Sequence, residues 1–482
     1  MHGCTITTSH YLAHARVMVE SFLEHNPGVG FSVLMIDDHS GLPQAGEPFQ
    51  TLTPADVGID EPELNRRAMM YITQGLATSM KPNLMLALLA QGHEKVLYLD
   101  ADACVYGELS HLAELADDRS LVLSPHSYDP YPLWEVDSPE QIFMRAGAMN
   151  AGLIGVAAAA RPFLEWWGER TSRCCVFDPQ RGLWLEQTWL MLAPALFDHH
   201  ILRDRGCNVA GWNLHTRDVQ WDGEVPMIDA VPLRHFHFAM SYDPEHPERL
   251  TASEHAYWWP TLEERPGAAR LSREYAERLI AHGYRQVRHA PPLFNAMPGG
   301  APIEPWMRAS YRAALIHAEA SGEAEPPNPF SHGEETFRAW IEPRTVERVV
   351  GATTAASLSP VGTGLSASTD SPAGHDEPFS TEEMAQAMLD TGKLLARICE
   401  LEGMRDEAIG WAERATEELG EAAIASKNAI DERDTLIAEL KGELDRKLKQ
   451  MDEIWHSPSW RVTKPLRAAK GLVMRGVKRP AG

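Results

Sequence analysis

The 482-residue chain has only six cysteines, and none of them forms a Cys-x-x-Cys pair. A disulfide framework and a zinc ribbon are therefore not expected, and free thiols in a reducing cytoplasm are the simplest interpretation. The sequence does not open with a basic segment followed by an apolar one, and its longest apolar run, residues 151–160, is too short to span a bilayer. We expect a cytoplasmic protein without a transmembrane segment.

Basic residues are also few: the chain has 44 Lys and Arg against 68 Asp and Glu, which gives a formal net charge of −24. A surface of that sign repels phosphate, which argues against general nucleic-acid binding. Hydrophobic residues make up 44% and charged residues 23% of the chain. These values are typical of globular proteins and exclude a wholly disordered chain, a collagen-like fibre and a membrane-embedded bundle.

Composition divides the chain into regions. Residues 1–345 are mixed in composition and predict one globular unit. Residues 346–379 are rich in Ser, Thr, Ala, Gly and Pro, cannot bury enough apolar surface to offset their ordering entropy, and predict a disordered linker. Residues 380–456 contain no proline and are dominated by helix-forming residues, which favours one long helix.

Apolar residues recur along this helix at steps of three and four, which is typical of a coiled coil that self-associates. A single solvated helix, or a helix lying on the globular unit, remains an alternative. The seam comprises Leu394, Ile398, Leu401, Ala408, Ala412, Ala415, Leu419, Ala422, Leu436, Leu440, Leu444, Met451 and Ile454.

The tail, residues 457–482, has no acidic residue and interleaves basic with apolar side chains. A segment of this kind can lie on the surface of an anionic bilayer. Docking on the acidic body of the same chain is the alternative. The tail therefore predicts either peripheral contact with the inner face of the membrane or an internal electrostatic contact.

In the globular unit, apolar strands alternate with helices, which indicates a mostly parallel α/β sheet. Strands are predicted at residues 4–8, 31–36 and 95–99, and a helix at 81–91. In such sheets ligands bind beyond the carboxyl ends of the strands. The polar residues predicted to meet there are Thr8, Asp37, Asp38, Asp100 and Asp102.

Asp100 and Asp102 follow the apolar strand 95–99 and flank a single alanine. Residues two apart in an extended chain point the same way, so both carboxylates can approach one ion. Carboxylate oxygens suit Mn²⁺ or Mg²⁺. The alternative is that Asp102 caps the helical turn after the strand.

Several blocks, taken in order, resemble the GT-A glycosyltransferases, and in particular bacterial enzymes similar to glycosyltransferase family 8. The resemblance covers about residues 4–245 and implies a GT-A fold, Rossmann-like with a mixed, mostly parallel sheet. The matching blocks, in chain order, are residues 6–17, Lys81-Pro82, Asp100-Ala101-Asp102, Pro125-His126, residues 150–155, residues 186–190, residues 208–214 and residues 234–238.

The resemblance implies a nucleotide-sugar donor, most often a UDP-sugar, held with Mn²⁺ or Mg²⁺. Thr7 and Thr8 then line the nucleobase pocket, and Asp37 joins them at the same sheet edge. Asp100 lies near the ribose and, with Asp102, holds the metal. The third protein ligand to the metal is His237.

The same resemblance assigns the donor-sugar side of the site. Lys81 stands at the start of a predicted helix, where the helix dipole disfavours a cation, so we expect an anionic partner for it. The resemblance directs Lys81 at the sugar or the diphosphate, and a surface lysine beside a turn is the alternative. Asn150 and Gly152 contact the sugar just before an apolar strand, and an ordinary turn is the alternative. Glu186 and Gln187 are the catalytic pair next to the donor sugar, with Glu186 standing where the family usually has aspartate.

These expectations combine into a metal-dependent, retaining glycosyltransferase that acts on a glycan or lipid-linked acceptor in surface polysaccharide synthesis. Residues 1–245 would bind the donor, and residues 246–345 would form a helical extension on the acceptor side. Two alternatives remain open at this point: an inactive sugar-binding scaffold with a coiled coil at the membrane surface, and a sugar-phosphate nucleotidylyltransferase. The second usually carries a glycine-rich basic loop after the first strand, and residues 7–16 do not contain one.

Overall fold

The structure of the chain is a computed structural model. The predicted linker 346–379 and tail 457–482 lie outside the residues that it describes, and so does almost all of the predicted coiled coil 380–456. The chain divides into two units, Met1–Arg338 and Ala339–Gly482, and nearly all described residues belong to the first. The described residues are 1–37, 46–131, 139–239, 242–252, 259–289, 294–342, 441, 442 and 446.

The first unit contains both strands and helices, which alternate over most of its length up to strand β10 (His200–Ile201). The strands are β1 (His2–Thr7), β2 (Gly30–Met35), β3 (Gln50–Leu52), β4 (Lys95–Leu99), β5 (Ala103–Val105), β6 (Leu121–Pro125), β7 (Met149–Ala157), β8 (Phe177–Asp178), β9 (Leu183–Trp184), β10 (His200–Ile201), β11 (Val209–Ala210), β12 (Val219–Asp222), β13 (Val225–Ile228), β14 (Val231–Pro232) and β15 (His235–His237). The α-helices are α1 (Leu12–His25), α2 (Glu61–Met70), α3 (Thr73–Thr78), α4 (Lys81–Ala90), α5 (Ser110–Arg119), α6 (Pro139–Ala146), α7 (Arg161–Arg173), α8 (Ala193–Leu196), α9 (Pro266–Ala281), α10 (Tyr284–Val287), α11 (Pro305–Ser321) and α12 (Pro329–His332). Within the described part of the chain, no helix combines the length and the apolar composition that crossing a membrane requires.

Seven strands form the main sheet, in the order β10-β6-β7-β4-β1-β2-β3. Strand β7 runs antiparallel to its neighbours β4 and β6, whereas the other neighbouring pairs are parallel. A mostly parallel sheet with helices between successive strands is an α/β architecture. The predicted fold class, α/β with a mixed and mostly parallel sheet, is confirmed.

Helices cover both faces of the main sheet. Leu97 and Leu99 of β4 belong to an apolar core that includes side chains of α1 and α5. Because side chains alternate along a strand, Tyr98 points to the opposite face. There the ammonium of Lys81, the first residue of α4, lies 4.7 Å from the centre of the Tyr98 ring. The end of β4 is therefore held between α1 and α5 on one face and α4 on the other.

The boundaries of the central elements agree closely with the sequence pattern, except at β7. Strand β4 begins and ends where predicted, and helix α4 ends one residue early. Asn150 and Gly152, expected just before an apolar strand, lie inside β7. The pairing of β7 with β6 shifts there, so that Leu123 faces Ile154 but Ser124 faces Asn150. Residues 151–153 therefore form a bulge in β7, a feature that is common beside active sites.

A second, three-stranded sheet lies beyond the end of β4, in the order β11-β15-β5. Strand β15 pairs antiparallel with β5, and the register sets His237 opposite Ala103. Ala103 directly follows Asp102, and the amide of Phe238 donates to the carbonyl oxygen of Asp102 at 2.8 Å. This pairing therefore places a histidine from residue 237 beside an aspartate from residue 102.

The stability of the fold is expected to fall as the pH drops from about 6.5 to about 4, and His14 is one cause. Its ring is buried, stacks on Tyr11 and has no hydrogen-bond partner for either nitrogen. Burial lowers the pKa of His14 to about 4, although Asp102 acts in the opposite direction. The unfolded chain, whose histidines titrate near 6.5, therefore binds more protons in this range, and protonation favours unfolding.

Replacing His14 with phenylalanine keeps a ring on Tyr11 and removes the titrating group. Between pH 4 and 6.5, the slope of the unfolding free energy against pH should decrease by up to about 1.4 kcal/mol per pH unit. Urea unfolding at a series of pH values measures this slope. An unchanged slope in the variant would show that His14 is not buried in its neutral form.

Candidate functional site

The acidic pair lies in the turn that joins β4 to β5. Asp100 follows the last residue of β4, and its amide donates to the carbonyl oxygen of Gly152 at 2.9 Å. The side chains of Asp100 and Asp102 are 25% and 18% exposed, so both carboxylates are reachable from solvent yet partly desolvated. Partial desolvation of two like charges is costly unless a cation or a donor receives them.

His237 completes a group of three metal-binding side chains. Its Nε2 atom lies 3.1 Å from Oδ1 of Asp102 and 3.8 Å from Oδ2 of Asp100. One ligand atom from each of the three residues lies within 4.8 Å of the other two. The Nδ1 atom of His237 is buried without a hydrogen-bond partner. The structure thus brings together the three side chains that the sequence assigned to the metal.

The electrostatics of this group follow from its geometry. Burial lowers the pKa of His237, but the charge of Asp102 and its hydrogen bond outweigh burial and raise it overall. Burial raises the pKa of Asp102, but the neighbouring imidazole outweighs it and holds that pKa below its ordinary value. Each partner therefore favours the charged form of the other, and a cation placed between them would replace the proton of the imidazole.

Lys81 is buried and forms two ion pairs within the chain. Its Nζ atom lies 2.9 Å from Oδ1 of Asp100 and 2.8 Å from Oε1 of Glu186, and it donates to the carbonyl oxygen of Ala151 at 3.1 Å. Burial lowers the pKa of Lys81, but the two carboxylates outweigh it and raise the pKa overall. The sequence predicted an anionic partner for this lysine, and the structure shows that two such partners are the chain's own acids.

Two donors act on one oxygen of Asp100. The hydroxyl of Tyr98 donates to Oδ1 at 2.8 Å, and Oδ1 also receives the ammonium of Lys81. Oδ2 is left on the side of His237. Sequence reasoning missed Tyr98, although the two-residue period of β4 places it on the same side as Asp100 and could have identified it.

The side-chain amides of Asn150 and Gln187 are hydrogen-bonded to each other next to Gly152. The Nδ2 atom of Asn150 donates to Oε1 of Gln187 at 3.2 Å, and Oδ1 of Asn150 accepts from the amide of Gly152 at 3.0 Å. Gln187 donates in turn to the carbonyl oxygen of Ala146 at 2.9 Å. Nδ2 of Asn150 also lies 3.4 Å from Nε2 of His126, a residue that the sequence analysis did not assign to the site.

His126 could not have been assigned from local sequence, because its neighbours come from distant segments. Its ring stacks on Phe143 and meets the edge of Trp212. Trp212 in turn contacts the ring of His237, with centroids 5.2 Å apart. Burial lowers the pKa of His126 to about 4, so the ring is neutral at pH 7 and Nε2 can accept from Asn150.

Gly152 leaves open the space between the ligands. A Cβ atom at this position would lie 2.5 Å from Cε1 of His237 and 2.8 Å from Oδ2 of Asp100. Both distances are shorter than a non-bonded contact allows. The bulge in β7 therefore brings backbone close to the three ligands at a position where a larger residue would displace them.

Thr7, Thr8 and Asp37 lie at the same sheet edge and form a second group. Oδ1 of Asp37 accepts from the amide of Ser9 at 2.7 Å and from its hydroxyl at 3.1 Å. The hydroxyl of Thr8 lies 2.9 Å from Nδ1 of His10. Asp37 therefore shapes the turn after β1, and the role of these three residues in holding a nucleotide stays a prediction.

The positive and negative charges of the ionisable side chains in this site do not balance. Asp100, Asp102 and Glu186 carry three negative charges when ionised, Lys81 carries one positive charge, and a neutral His237 leaves a total of −2. One divalent cation would bring this total to zero. Two carboxylates and one imidazole are also a ligand set that suits Mn²⁺ or Mg²⁺ with remaining positions for oxygen ligands.

No protein-family model matches the chain. Two proteins of Bacillus subtilis (strain 168), both named as uncharacterised, are similar in sequence. YfnF is 29% identical over 167 residues, which cover 33% of this chain and 55% of YfnF. YfnD is 23% identical over 248 residues, which cover 49% of this chain and 77% of YfnD. The chain thus spans about half the length of YfnF, and neither relative brings an assigned activity.

Three solved structures are similar in fold. The galactosyltransferase LgtC, in complex with donor and acceptor sugar analogues, is 16% identical, with 60% of this chain and 98% of LgtC covered and a TM-score of 0.33. Mouse xyloside xylosyltransferase 1 is 12% identical, with 49% of this chain and 96% of that protein covered and a TM-score of 0.32. The glycosyltransferase GlyE of Streptococcus pneumoniae TIGR4 is 15% identical, with 61% of this chain and 67% of GlyE covered and a TM-score of 0.33. At TM-scores of this size, the fold assignment rests on the strand order and register described above.

Proposed function

We propose that the chain is a metal-dependent glycosyltransferase of the GT-A type that transfers a sugar from a nucleotide-sugar donor, with UDP as the nucleotide, to a glycan or lipid-linked acceptor. The observation that carries this proposal is the convergence of Asp100, Asp102 and His237 within 4.8 Å at the carboxyl end of β4. Ligands bind at that end of the strands in α/β sheets. The ordered sequence blocks of residues 4–245 support the donor class.

The residues fit a divalent cation. Asp100, Asp102 and His237 would hold it, Gly152 leaves room beside them, and the net charge of the group matches two positive charges. When bound, Mn²⁺ or Mg²⁺ supplies positive charge against the negative charge that develops on a departing nucleotide diphosphate.

The chain's own residues orient this centre. Lys81 and Tyr98 both act on Oδ1 of Asp100, which fixes the carboxylate plane and directs Oδ2 toward His237. Lys81 is a positioning residue in this arrangement, because its ammonium is already engaged with Asp100 and Glu186. Pre-orientation of this kind lowers the reorganisation needed when charge develops on the substrate.

Glu186 and Gln187 take different roles in this proposal. The carboxylate of Glu186 is buried and paired with Lys81, which makes it a poor nucleophile. We therefore favour attack by the acceptor hydroxyl from the side on which the diphosphate leaves, with retention at the anomeric carbon. The bond from that carbon to the diphosphate oxygen breaks, the bond to the acceptor oxygen forms, and the departing diphosphate takes the proton. Asn150 and the fixed amide of Gln187 line the sugar.

Release of UDP from a panel of UDP-sugars, with and without Mn²⁺, tests this function. Thermal shift with the same panel identifies the donor, because a ligand that binds the folded chain raises its apparent stability. We expect turnover that requires Mn²⁺ and is lost in Asp102→Asn. If the protein neither binds nor hydrolyses any donor, it is a scaffold. If it forms a nucleotide sugar from UTP and a sugar phosphate, it is a nucleotidylyltransferase.

Two glycines of β7 provide a matched pair of variants. Alanine at Gly152 would push against His237 and Asp100. Alanine at Gly155 would have Val122 and Leu112 as its nearest neighbours at 3.4–3.6 Å, an ordinary contact distance. We expect Gly152→Ala to reduce Mn²⁺-dependent turnover about 100-fold, because displacement of reacting groups by about 1 Å has an effect of that size. Gly155→Ala should retain turnover. Equal activity of the two variants would contradict the position assigned to the metal.

A further inference from the structure

A second group of metal-binding side chains lies outside the site described above. It consists of His111 near the start of α5 and of Asp204 and Cys207 in the segment between β10 and β11. Nε2 of His111 lies 3.0 Å from Oδ2 of Asp204, and Sγ of Cys207 lies 3.5 Å from the same oxygen and 4.0 Å from Nε2. The thiol is buried, whereas His111 and Asp204 are partly exposed. The group is therefore closed on the sulfur side and open to solvent on the other.

The three distances are close to the edges of a zinc tetrahedron. Zinc binds nitrogen at about 2.0 Å, oxygen at about 2.1 Å and sulfur at about 2.3 Å. Tetrahedral angles then separate the ligand atoms by about 3.3–3.6 Å. One of the three separations, 3.5 Å, lies within this range, and the other two, 3.0 and 4.0 Å, lie a few tenths of an ångström below and above it. Small rotations of the His111 and Cys207 side chains would complete three corners.

The backbone around Asp204 orients its carboxylate. The amide of Gly206 donates to Oδ1 at 2.8 Å, and the amide of Cys207 donates to the Asp204 carbonyl oxygen at 3.1 Å. Oδ1 is thereby engaged in the turn, and Oδ2 faces His111 and Cys207. A Cβ atom on Gly206 would lie 2.3 Å from the carbonyl oxygen of Pro232, so the tightness of this turn depends on glycine.

Arg234 contacts the same carboxylate. Its Nε atom lies 3.0 Å from Oδ2 of Asp204, and its Nη1 atom donates to the carbonyl oxygen of Glu108 at 3.0 Å. The guanidinium therefore balances the charge of Asp204 and competes with any cation for Oδ2. Removal of this competitor should strengthen metal binding, which distinguishes a metal site from a hydrogen-bonded cluster centred on Asp204.

We propose that His111, Asp204 and Cys207 bind a divalent metal ion of the zinc class, with a solvent molecule at the fourth position. Thiolate and imidazole ligands select zinc, cobalt and related ions, whereas the two carboxylates and imidazole at Asp100, Asp102 and His237 suit Mn²⁺ or Mg²⁺. The metal–sulfur bond forms as the S–H bond of Cys207 breaks, and the proton passes to solvent. The two sites therefore take different metals.

The position of this site in the fold gives it a structural role. The carbonyl oxygen of Gly206 accepts from the amides of Arg234 at 2.8 Å and His235 at 3.1 Å. His235 begins β15, the strand that ends at His237. A metal that holds the turn 204–207 to α5 would therefore stabilise the strand that supplies the third ligand of the first centre. Thermal unfolding should shift upward with one equivalent of Zn²⁺.

Cobalt titration of the full chain, stripped of metal by a chelator and kept reduced, tests the proposal. Thiolate-bound Co²⁺ gives a sulfur-to-metal charge-transfer absorption, and a tetrahedral ion gives intense visible bands. We expect one equivalent of Co²⁺ to produce both. Asp102→Asn should leave the signal unchanged, because it alters only the first centre. Cys207→Ser should abolish the charge-transfer band.

Two further variants make each outcome decisive. His111→Gln should weaken Co²⁺ binding by at least about 10- to 100-fold, because loss of even an outer-shell partner of a metal ligand has an effect of that size. Since His111 is partly exposed, this variant should not lower the unfolding temperature of the metal-free protein. Arg234→Gln should tighten binding. A charge-transfer band that is absent in the wild type, or that persists in Cys207→Ser, would overturn the proposal and leave a hydrogen-bonded cluster around Asp204.

Discussion

Replacing Lys81 with methionine is expected to lower the free energy of unfolding by about 3–5 kcal/mol. The Lys81 side chain is 1% exposed, and its ammonium lies between the carboxylates of Asp100 and Glu186. Methionine fills the space of the side chain but leaves Glu186, which is also buried, without its cation. Removing one partner of a buried ion pair is strongly destabilising, because the remaining charge has lost its solvent as well as its partner.

Lys95→Met is the matched control. Lys95 is also an ion-paired lysine, but its single partner is Asp117 and that pair is exposed to solvent. Exposed pairs contribute about 0–1 kcal/mol, so this variant should be nearly neutral. Urea unfolding followed by tryptophan fluorescence measures both. The double variant Lys81→Met/Glu186→Gln should recover part of the loss, because it removes the orphaned charge. A loss for Lys81→Met no greater than that for Lys95→Met would contradict the buried ion pairs.

Replacing His237 with glutamine is expected to reduce Mn²⁺-dependent turnover by at least about 100-fold. In the proposed function, this side chain is the ligand to the metal that the second sheet contributes, and its Nε2 atom is 3.1 Å from Asp102. Glutamine can reach a similar position, but it offers an amide, which is a much weaker Lewis base than the imidazole nitrogen. Steady-state kinetics at several Mn²⁺ concentrations measures the loss and shows whether more metal restores activity.

His235→Gln is the control on the same strand. His235 is buried, two residues from His237, and its ring nitrogens have no hydrogen-bond partner. Burial lowers the pKa of His235 to about 3, so its ring is neutral. This variant should keep its Mn²⁺ dependence and turn over donor at a rate close to that of the wild type. If both variants lose activity equally, β15 is disturbed in each and His237 has no special role.

Local sequence patterns were sufficient for the elements that position the acidic pair. Strand β4 is a run of buried apolar residues that ends at Asp100, and its bounds agree with the prediction. Helix α4 begins at Lys81-Pro82, where proline fits the first turn. Both assignments depend on residues within ten positions of one another, and in that range periodicity and propensity are informative.

The assembled site could not be derived in the same way. His237 reaches Asp102 only because β15 pairs with β5 across 135 residues of sequence. No local pattern encodes that register, and only the family resemblance pointed to His237. The bulge in β7, which brings Gly152 between the ligands, likewise depends on pairing with both β4 and β6.

For Lys81, the sequence indicated the charge of its partner but not which groups supply that charge. Its place at a helix start, where the dipole disfavours a cation, correctly indicated an anionic partner. The sequence could not show that Asp100 and Glu186 take up that charge, because Glu186 approaches from a segment about one hundred residues away. The lysine therefore orients the centre and does not lie open to substrate.

Anomalous diffraction from crystals grown with MnCl₂ and UDP tests the central claim most directly. The account predicts one strong manganese peak within coordinating distance of Asp100, Asp102 and His237, with two diphosphate oxygens completing its ligands. It also predicts that this peak is absent from Asp102→Asn crystals prepared in the same way. A wild-type crystal with bound UDP but no manganese at these three side chains would contradict it.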